Sequence, residues 1–165
     1  MVILLADNVG YNDISILGAP SAKTPNIDRL GFEGMKLNNF NSVAHLCSAS
    51  RAAILTGKYP VRTGGYPGVF KPESAFGMLP TERTLADYLK DTGYATSLVG
   101  KWHLGHNEEY LPTNQGFDEW LGLPYHASGG SIDGHTCIFD TYETMWLPLY
   151  NQTEIIHQPV HMNIL

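Results

Sequence analysis

Met1 to Ala6 is an unbroken apolar run that stops at Asp7-Asn8-Val9-Gly10, the pattern of a strand covered on both faces and followed by a polar loop. Strands of that kind sit inside parallel sheets, whose crossover helices cover both faces, so this run constrains the fold class before anything else is read. The rest of the chain agrees with it. Thr24-Pro25-Asn26-Ile27-Asp28-Arg29-Leu30 offers a cap and a proline at the first helical position, Gly34 closes that helix, and Met35 to Phe40 reads as a second strand. Ser48 to Thr56 reads as a short helix with serine at its cap, starting directly after Cys47 and closed by Gly57. Gly64 to Leu79 has no period and reads as a long surface loop. Thr84 to Thr92 is helical and ends at Gly93, Ala95 to Val99 is the next buried strand, and Glu119 to Leu123 is the last readable one, with the pattern weakening after Gly116. The alternation predicts an α/β fold with a mostly parallel central sheet flanked by helices, in which ligands bind beyond the C-terminal strand ends. Asp7 and Lys101 stand at two such ends, and Cys47 sits at the positive end of a helix dipole.

The chain has 165 residues, enough for one domain or a piece of a larger one. Ten Lys and Arg against sixteen Asp and Glu give a net charge of −6, which leaves no basic footprint for nucleic acid or an anionic membrane. No apolar run approaches the roughly 18–20 residues of a membrane span, and no basic n-region or cleavage site precedes Met1 to Leu5. Cys47 and Cys137 are too few for a disulfide framework and lack zinc-site spacing. Asn151-Gln152-Thr153 is the single N-x-[ST] sequon, a glycan acceptor if the chain passes through a secretory route.

The segment Cys47-Ser48-Ala49-Ser50-Arg51-Ala52-Ala53-Ile54-Leu55-Thr56-Gly57-Lys58 carries the sharpest chemical signal. A cysteine at a helix start, with an arginine one turn later, is in an electropositive setting that favours a thiolate or a bound anion. The same local pattern also suits a small buried cysteine in a packed helix start. The segment resembles the signature of the type I sulfatases, in which Cys, a small residue, Pro or Ala, Ser and Arg precede Leu-Thr-Gly and a basic residue. Ala49 takes the place usually held by proline. Three more blocks follow in the family's order: Ala6-Asp7-Asn8-Val9-Gly10-Tyr11-Asn12-Asp13, Thr24 to Leu30, and Val99-Gly100-Lys101-Trp102-His103-Leu104-Gly105, with Gly116-Phe117-Asp118-Glu119-Trp120 in register after them. Leu147-Pro148-Leu149-Tyr150 is similar to stretches of the arylsulfatase A and G branch.

The resemblance implies the alkaline-phosphatase-like sulfatase fold, truncated here, with residues 1–165 forming the N-terminal part of its catalytic domain. It implies a sulfuric ester hydrolase. Cys47 would be oxidised to formylglycine by a formylglycine-generating enzyme and act as nucleophile and metal ligand. Asp7 and Asn8 would join it as ligands of one Ca²⁺, whose hard oxygen ligands and Lewis acidity suit sulfate chemistry. Arg51 would hold the formylglycine oxygens, Lys101 would contact a sulfate oxygen, and His103 would hydrogen-bond a hydroxyl of the aldehyde hydrate. One hydroxyl of that hydrate attacks sulfur and releases the alcohol; loss of the proton from the other expels sulfate and restores the aldehyde. A lysosomal or secreted location follows by the same resemblance.

Two positions depart from the family pattern. Asn8 replaces the second acidic residue of the usual pair, removing one negative charge from the metal site and predicting weaker Ca²⁺ binding. In Pro124-Tyr125-His126-Ala127-Ser128, His126 stands where the arylsulfatase branch has serine. His106, His126, His135, His157 and His161 carry no family role and read as surface or core residues. The family's later histidine, its Asp-Asn ligand pair and its second lysine have no counterpart before Leu165, so the chain reads as a fragment of a longer enzyme. The competing reading is a non-catalytic sulfatase-like protein. A phosphate-ester hydrolase of the wider superfamily is third, since that chemistry uses Ser or Thr at the nucleophile.

Overall fold

The computed structural model of the chain describes residues 1–7, 9–128, 139–140 and 147–160. Cys137, His135 and His161 lie outside the described residues. The chain forms two compact units, Met1–Asn41 and Ser42–Leu165.

The first unit is built around helix α1, Pro25–Glu33, with proline in its first turn and Gly34 at its C-cap. Thr24 does not cap it through its side chain. Its hydroxyl donates instead to Asp28 (3.0 Å), whose carboxylate also accepts from the Ile16 amide (2.9 Å) and from the Ser15 hydroxyl. That clasp ties the 3₁₀ turn Ser15–Leu17 to α1 and holds the Asp28 carboxyl below the usual carboxylate range, first through the Ser15 hydroxyl. The expected strands at Met1 to Ala6 and Met35 to Phe40 are absent. A strand exists only through cross-strand hydrogen bonds, and this unit contains no ladder among the described residues, so Met1 to Leu5 have no regular secondary structure and leave 52–84% of their surface exposed.

The second unit holds helices α2, Cys47–Thr56, and α3, Leu85–Asp91. Gly57 ends α2 in the left-handed region (φ 67°), its N–H bonded to the Ala53 carbonyl. Thr84 starts α3 with a reciprocal capping box, its hydroxyl accepting from the Asp87 amide while the Asp87 carboxylate accepts from the Thr84 amide at 2.7 Å. A four-stranded mixed sheet follows, in the order β1 (Ser97–Val99), β2 (Glu119–Gly122), β5 (Leu149–Asn151), β6 (Glu154–His157). β1 and β2 are parallel, with Leu98 opposite Trp120, whereas β5 and β6 join antiparallel. β3 (Ala127–Ser128) and β4 (Phe139–Asp140) form a separate antiparallel pair.

The sequence places β1 as a buried strand, but it is a sheet edge among the described residues: Val99 is 78% exposed, and Leu98 alone packs on the core. The hairpin of β5 and β6 is an element the sequence pattern does not reveal. It is held from its turn, where the Gln152 amide donates to the Trp120 carbonyl (2.7 Å) and its side-chain oxygen accepts from the Trp120 amide (2.8 Å). The stretch Gly64 to Leu79 is a loop as expected, yet it is not all surface. Phe70 and Met78 enter the main core with Ala52, Ala86, Trp102, Leu104, Leu111, Phe117 and Trp120. Full burial of such side chains stabilises by roughly 1.5–3 kcal/mol each.

β1 and β2 keep pairing beyond their ends, and this positions the loop that follows. Gly100 N–H donates to the Leu121 carbonyl (2.9 Å), Trp102 N–H to Leu123 (2.8 Å) and His103 N–H to Pro124 (2.9 Å). The strands approach so closely there that a Cβ on Gly122 would lie 1.8 Å from the Gly100 carbonyl oxygen. Trp102 turns inward and anchors the loop, its indole N–H bonded to the Tyr110 carbonyl (2.9 Å) and its ring set edge-on to Phe117.

Candidate active site

Cys47 is the first residue of α2, half-buried, with Leu46 rather than a serine at the cap. The helix start therefore has amide N–H groups with no side-chain cap, the arrangement that gives a helix N-terminus its attraction for anions. Ser50, one turn into the helix, donates to the Ala44 carbonyl (2.6 Å) and fixes the approach of the chain to Cys47. A cavity of about 290 Å³ lined by Val43, Ala44, His45, Tyr59, Pro60, Val61 and Tyr66 adjoins that approach.

The zipped loop after β1 meets this helix. The Lys101 ammonium donates to the Cys47 sulfur at 3.1 Å, and Arg51 Nη1 donates to the Lys101 backbone carbonyl at 2.6 Å. Ser48, expected at the cap, does something else: its buried hydroxyl donates to the His103 carbonyl (2.7 Å) and accepts from the Phe70 amide (3.1 Å). His103 is 1% exposed and occupies the left-handed region (φ 60°), which is costly for a side chain of that size. Its Nε2 lies 3.1 Å from the Phe70 carbonyl, so Nε2 carries the proton and Nδ1 presents a lone pair. That Nδ1 is buried and has no hydrogen-bond partner among the described residues. Burial first, and then the charges of Lys101, His126 and Arg51, push the His103 pKa down to about 3, so the ring stays neutral near pH 7.

Four of the sequence-predicted residues, Cys47, Arg51, Lys101 and His103, thus belong to one hydrogen-bonded assembly. Asp7 is exposed at the end of the first unit's opening segment, and Asn8 lies outside the described residues. His126 is a member that residue-type reasoning passes over: its ring centre lies 5.0 Å from that of His103. The signal available in the sequence was the Pro-Tyr-His substitution itself. His106 packs edge-on to Tyr125, and burial lowers its pKa; His157 is exposed in β6.

Among the described residues, no three His, Cys, Asp or Glu side chains gather to hold a metal. The Asp7 carboxylate and Asn8 amide are oxygen donors of the type Ca²⁺ accepts. Cys47 as a thiol is a soft donor, and it fits a hard cation only after its sulfur has been exchanged for oxygen.

A helix start and the loop after parallel strand ends thus bring a cysteine, a lysine, an arginine and a neutral histidine together in an α/β protein. The family model described as Sulfatase matches residues 1–130, and the chain belongs to the sulfatase family. Human arylsulfatase A is 45% identical over 139 residues, covering 83% of this chain and 27% of that protein. N-acetylgalactosamine-6-sulfatase of Sus scrofa is 39% identical over 166 residues, covering 94% of this chain and 30% of that protein. Among solved structures, Ps i-CgsB superposes with a TM-score of 0.79 at 25% identity, over 98% of this chain and 38% of that one. The PsFucS1 sulfatase from Pseudoalteromonas sp. gives 0.66 at 38% identity, over 73% of this chain and 25% of that one. The fold is accordingly the alkaline-phosphatase-like fold of the sulfatases. This chain spans less than a third of the length of the two enzymes named first. No helix among the described residues is long and apolar enough to cross a membrane.

Proposed function

We propose that the chain is the N-terminal part of a sulfuric ester hydrolase acting on an aryl or glycan sulfate ester, with Cys47 converted to formylglycine by a formylglycine-generating enzyme. The observation that carries this reading is the contact of Lys101 with Cys47 at the start of α2, which sets a cation 3.1 Å from the position of the nucleophile. Converted to formylglycine, Cys47 supplies a hydrated aldehyde whose hydroxyl attacks sulfur. Calcium would be held by Asp7, Asn8 and the oxidised Cys47 and would supply Lewis acidity toward the sulfate oxygens.

The chain's own residues divide the remaining work. Lys101 and the N–H groups of α2 favour the sulfate anion, and pre-set charges of this kind act on the charge that builds in the transition state. Arg51 keeps the Lys101 backbone in place through its 2.6 Å bond and adds a second positive charge. His103 is neutral, with Nε2–H committed to Phe70, so its Nδ1 is a hydrogen-bond acceptor suited to orienting a hydroxyl of the hydrate; a pKa of about 3 makes it too weak a base to hold the proton near pH 7. A lysosomal or secreted location goes with this reading. The exposed Asn151, at the turn between β5 and β6, is its glycan acceptor.

The test is to express the chain, and a version extended to the length of its relatives, with the modifying enzyme, then map the Cys47 peptide by mass and assay sulfate release from an aryl sulfate. Aldehyde at position 47 with sulfate release from the extended protein is the expected outcome. Unmodified Cys47 and no release would leave the second reading, a non-catalytic sulfatase-like protein, which Asn8 favours by removing one metal-binding charge.

A further inference from the structure

The buried polar contacts around His103 close into a ring. The Ser48 hydroxyl donates to the His103 carbonyl (2.7 Å), the Phe70 amide donates to the Ser48 hydroxyl (3.1 Å), and His103 Nε2–H returns to the Phe70 carbonyl (3.1 Å). Ser48 has no exposed surface, and His103 is 1% exposed. Three segments far apart in sequence meet in this ring: the second residue of α2, the Gly- and Pro-rich loop, and the loop after β1.

The ring does two things that neither Cys47 nor Lys101 does. It ties down the backbone of a histidine held at φ 60°, a conformation that persists only when its surroundings over-determine it. It also spends one face of the imidazole on Phe70, leaving Nδ1 as the buried nitrogen without a partner among the described residues. A histidine's second hydrogen bond sets its tautomer, and here that bond is oriented from the nucleophile helix.

We propose that Ser48 is a positioning residue for the sulfatase reaction: through the His103 carbonyl and the Phe70 amide, its hydroxyl holds His103 as the Nε2–H tautomer with Nδ1 bare. What His103 does in catalysis rests on the function proposed above, whereas how it is held does not. Serine at position 48 thereby couples the helix carrying Cys47 to the orientation of His103, inside a motif otherwise read for Cys47 and Arg51 alone.

The test uses the ¹⁵N-labelled chain, in which two-bond proton–nitrogen spectra report the tautomer of each histidine ring near neutral pH. The expected result is a single Nε2–H tautomer for His103, exchange between tautomers in Ser48→Ala, and the original spectrum in Ser48→Thr, which keeps the hydroxyl. An Nδ1–H tautomer in the unsubstituted chain overturns the proposal without recourse to a variant, as does an unchanged fixed tautomer in folded Ser48→Ala. In the extended, matured protein, with rates expressed per formylglycine measured by peptide mass, Ser48→Ala should lower kcat roughly ten- to a hundredfold while KM holds. An altered tautomer with unchanged kcat overturns the positioning role. Absence of sulfate release from the unsubstituted protein counts against the proposed function, and the tautomer spectra still decide how His103 is held.

Discussion

The Lys101 ammonium donates to the Cys47 sulfur across 3.1 Å, although the two residues come from a sheet loop and a helix start separated by more than fifty positions. Lys101→Ala should therefore remove charge stabilisation at the reacting group and lower kcat for an aryl sulfate by about 10²–10³-fold in the extended, matured protein. Lys101→Arg should not restore it, because a planar guanidinium cannot replace a point charge at that distance. Steady-state rates normalised to formylglycine content check this, and wild-type rates in Lys101→Ala would remove lysine from the mechanism.

Cys47→Ser keeps an oxygen nucleophile and discards the second hydroxyl of an aldehyde hydrate. Transfer of the sulfuryl group to such a serine has no internal route for release, so the extended variant should accumulate as a stable sulfated protein after incubation with substrate. Intact-protein mass measures the adduct. Multiple turnovers by the serine variant would show that the second hydroxyl is dispensable.

His103 makes stability depend on pH in a definite direction. In the folded chain its pKa is about 3, against an ordinary 6.5 when unfolded, with burial the first cause. Between those values the unfolded chain binds a proton that the folded chain does not. The contribution is complete above about pH 6.5 and is lost as pH falls toward 3, with a slope of up to about 1.4 kcal/mol per pH unit. Urea midpoints measured from neutral to mildly acidic pH should fall for the parent chain and fall less steeply for His103→Gln. Parallel curves for the two proteins would place the pH dependence elsewhere.

Gly122→Ala should cost about 3 kcal/mol or more, since the added Cβ meets a backbone oxygen at 1.8 Å and neither strand can yield without breaking the ladder. Gly68→Ala is the matched control: a Cβ there meets nothing within 4 Å. Thermal unfolding of the two variants should differ widely, and equal melting temperatures would contradict the close approach of β1 and β2.

The parts of the fold and site that could be read from sequence are those whose signals are local. Proline and Gly34 bracket α1, Thr84 caps α3, and the Cys47-to-Lys58 and Val99-to-Gly105 blocks carry their own identity, which is why the family, and with it Cys47, Arg51, Lys101 and His103 as candidates, could be read from sequence. What depended on distant partners was not legible. An apolar run at Met1 to Ala6 looks like a strand whether or not a neighbour is there to bond it. The hairpin of β5 and β6 owes its place to Gln152, whose bonds go back to Trp120. Phe70 lies in a stretch of glycine and proline that reads as surface, yet its backbone sets the tautomer of His103. Ser48 looked like a cap, and its hydroxyl was needed fifty-five positions away.

The continuation of the β1–β2 ladder past its strands has a mechanical meaning for the residues after Val99. Gly100 spends its backbone N–H on β2 itself, Trp102 and His103 spend theirs on the chain following it, and the Lys101 and His103 carbonyls are gripped by α2. The segment is a rivet between sheet and helix, and the spacing between Cys47, Lys101 and His103 is set by both. If the proposed function holds, a substrate meets a fixed seam here, and any adjustment to its shape falls to the walls around it.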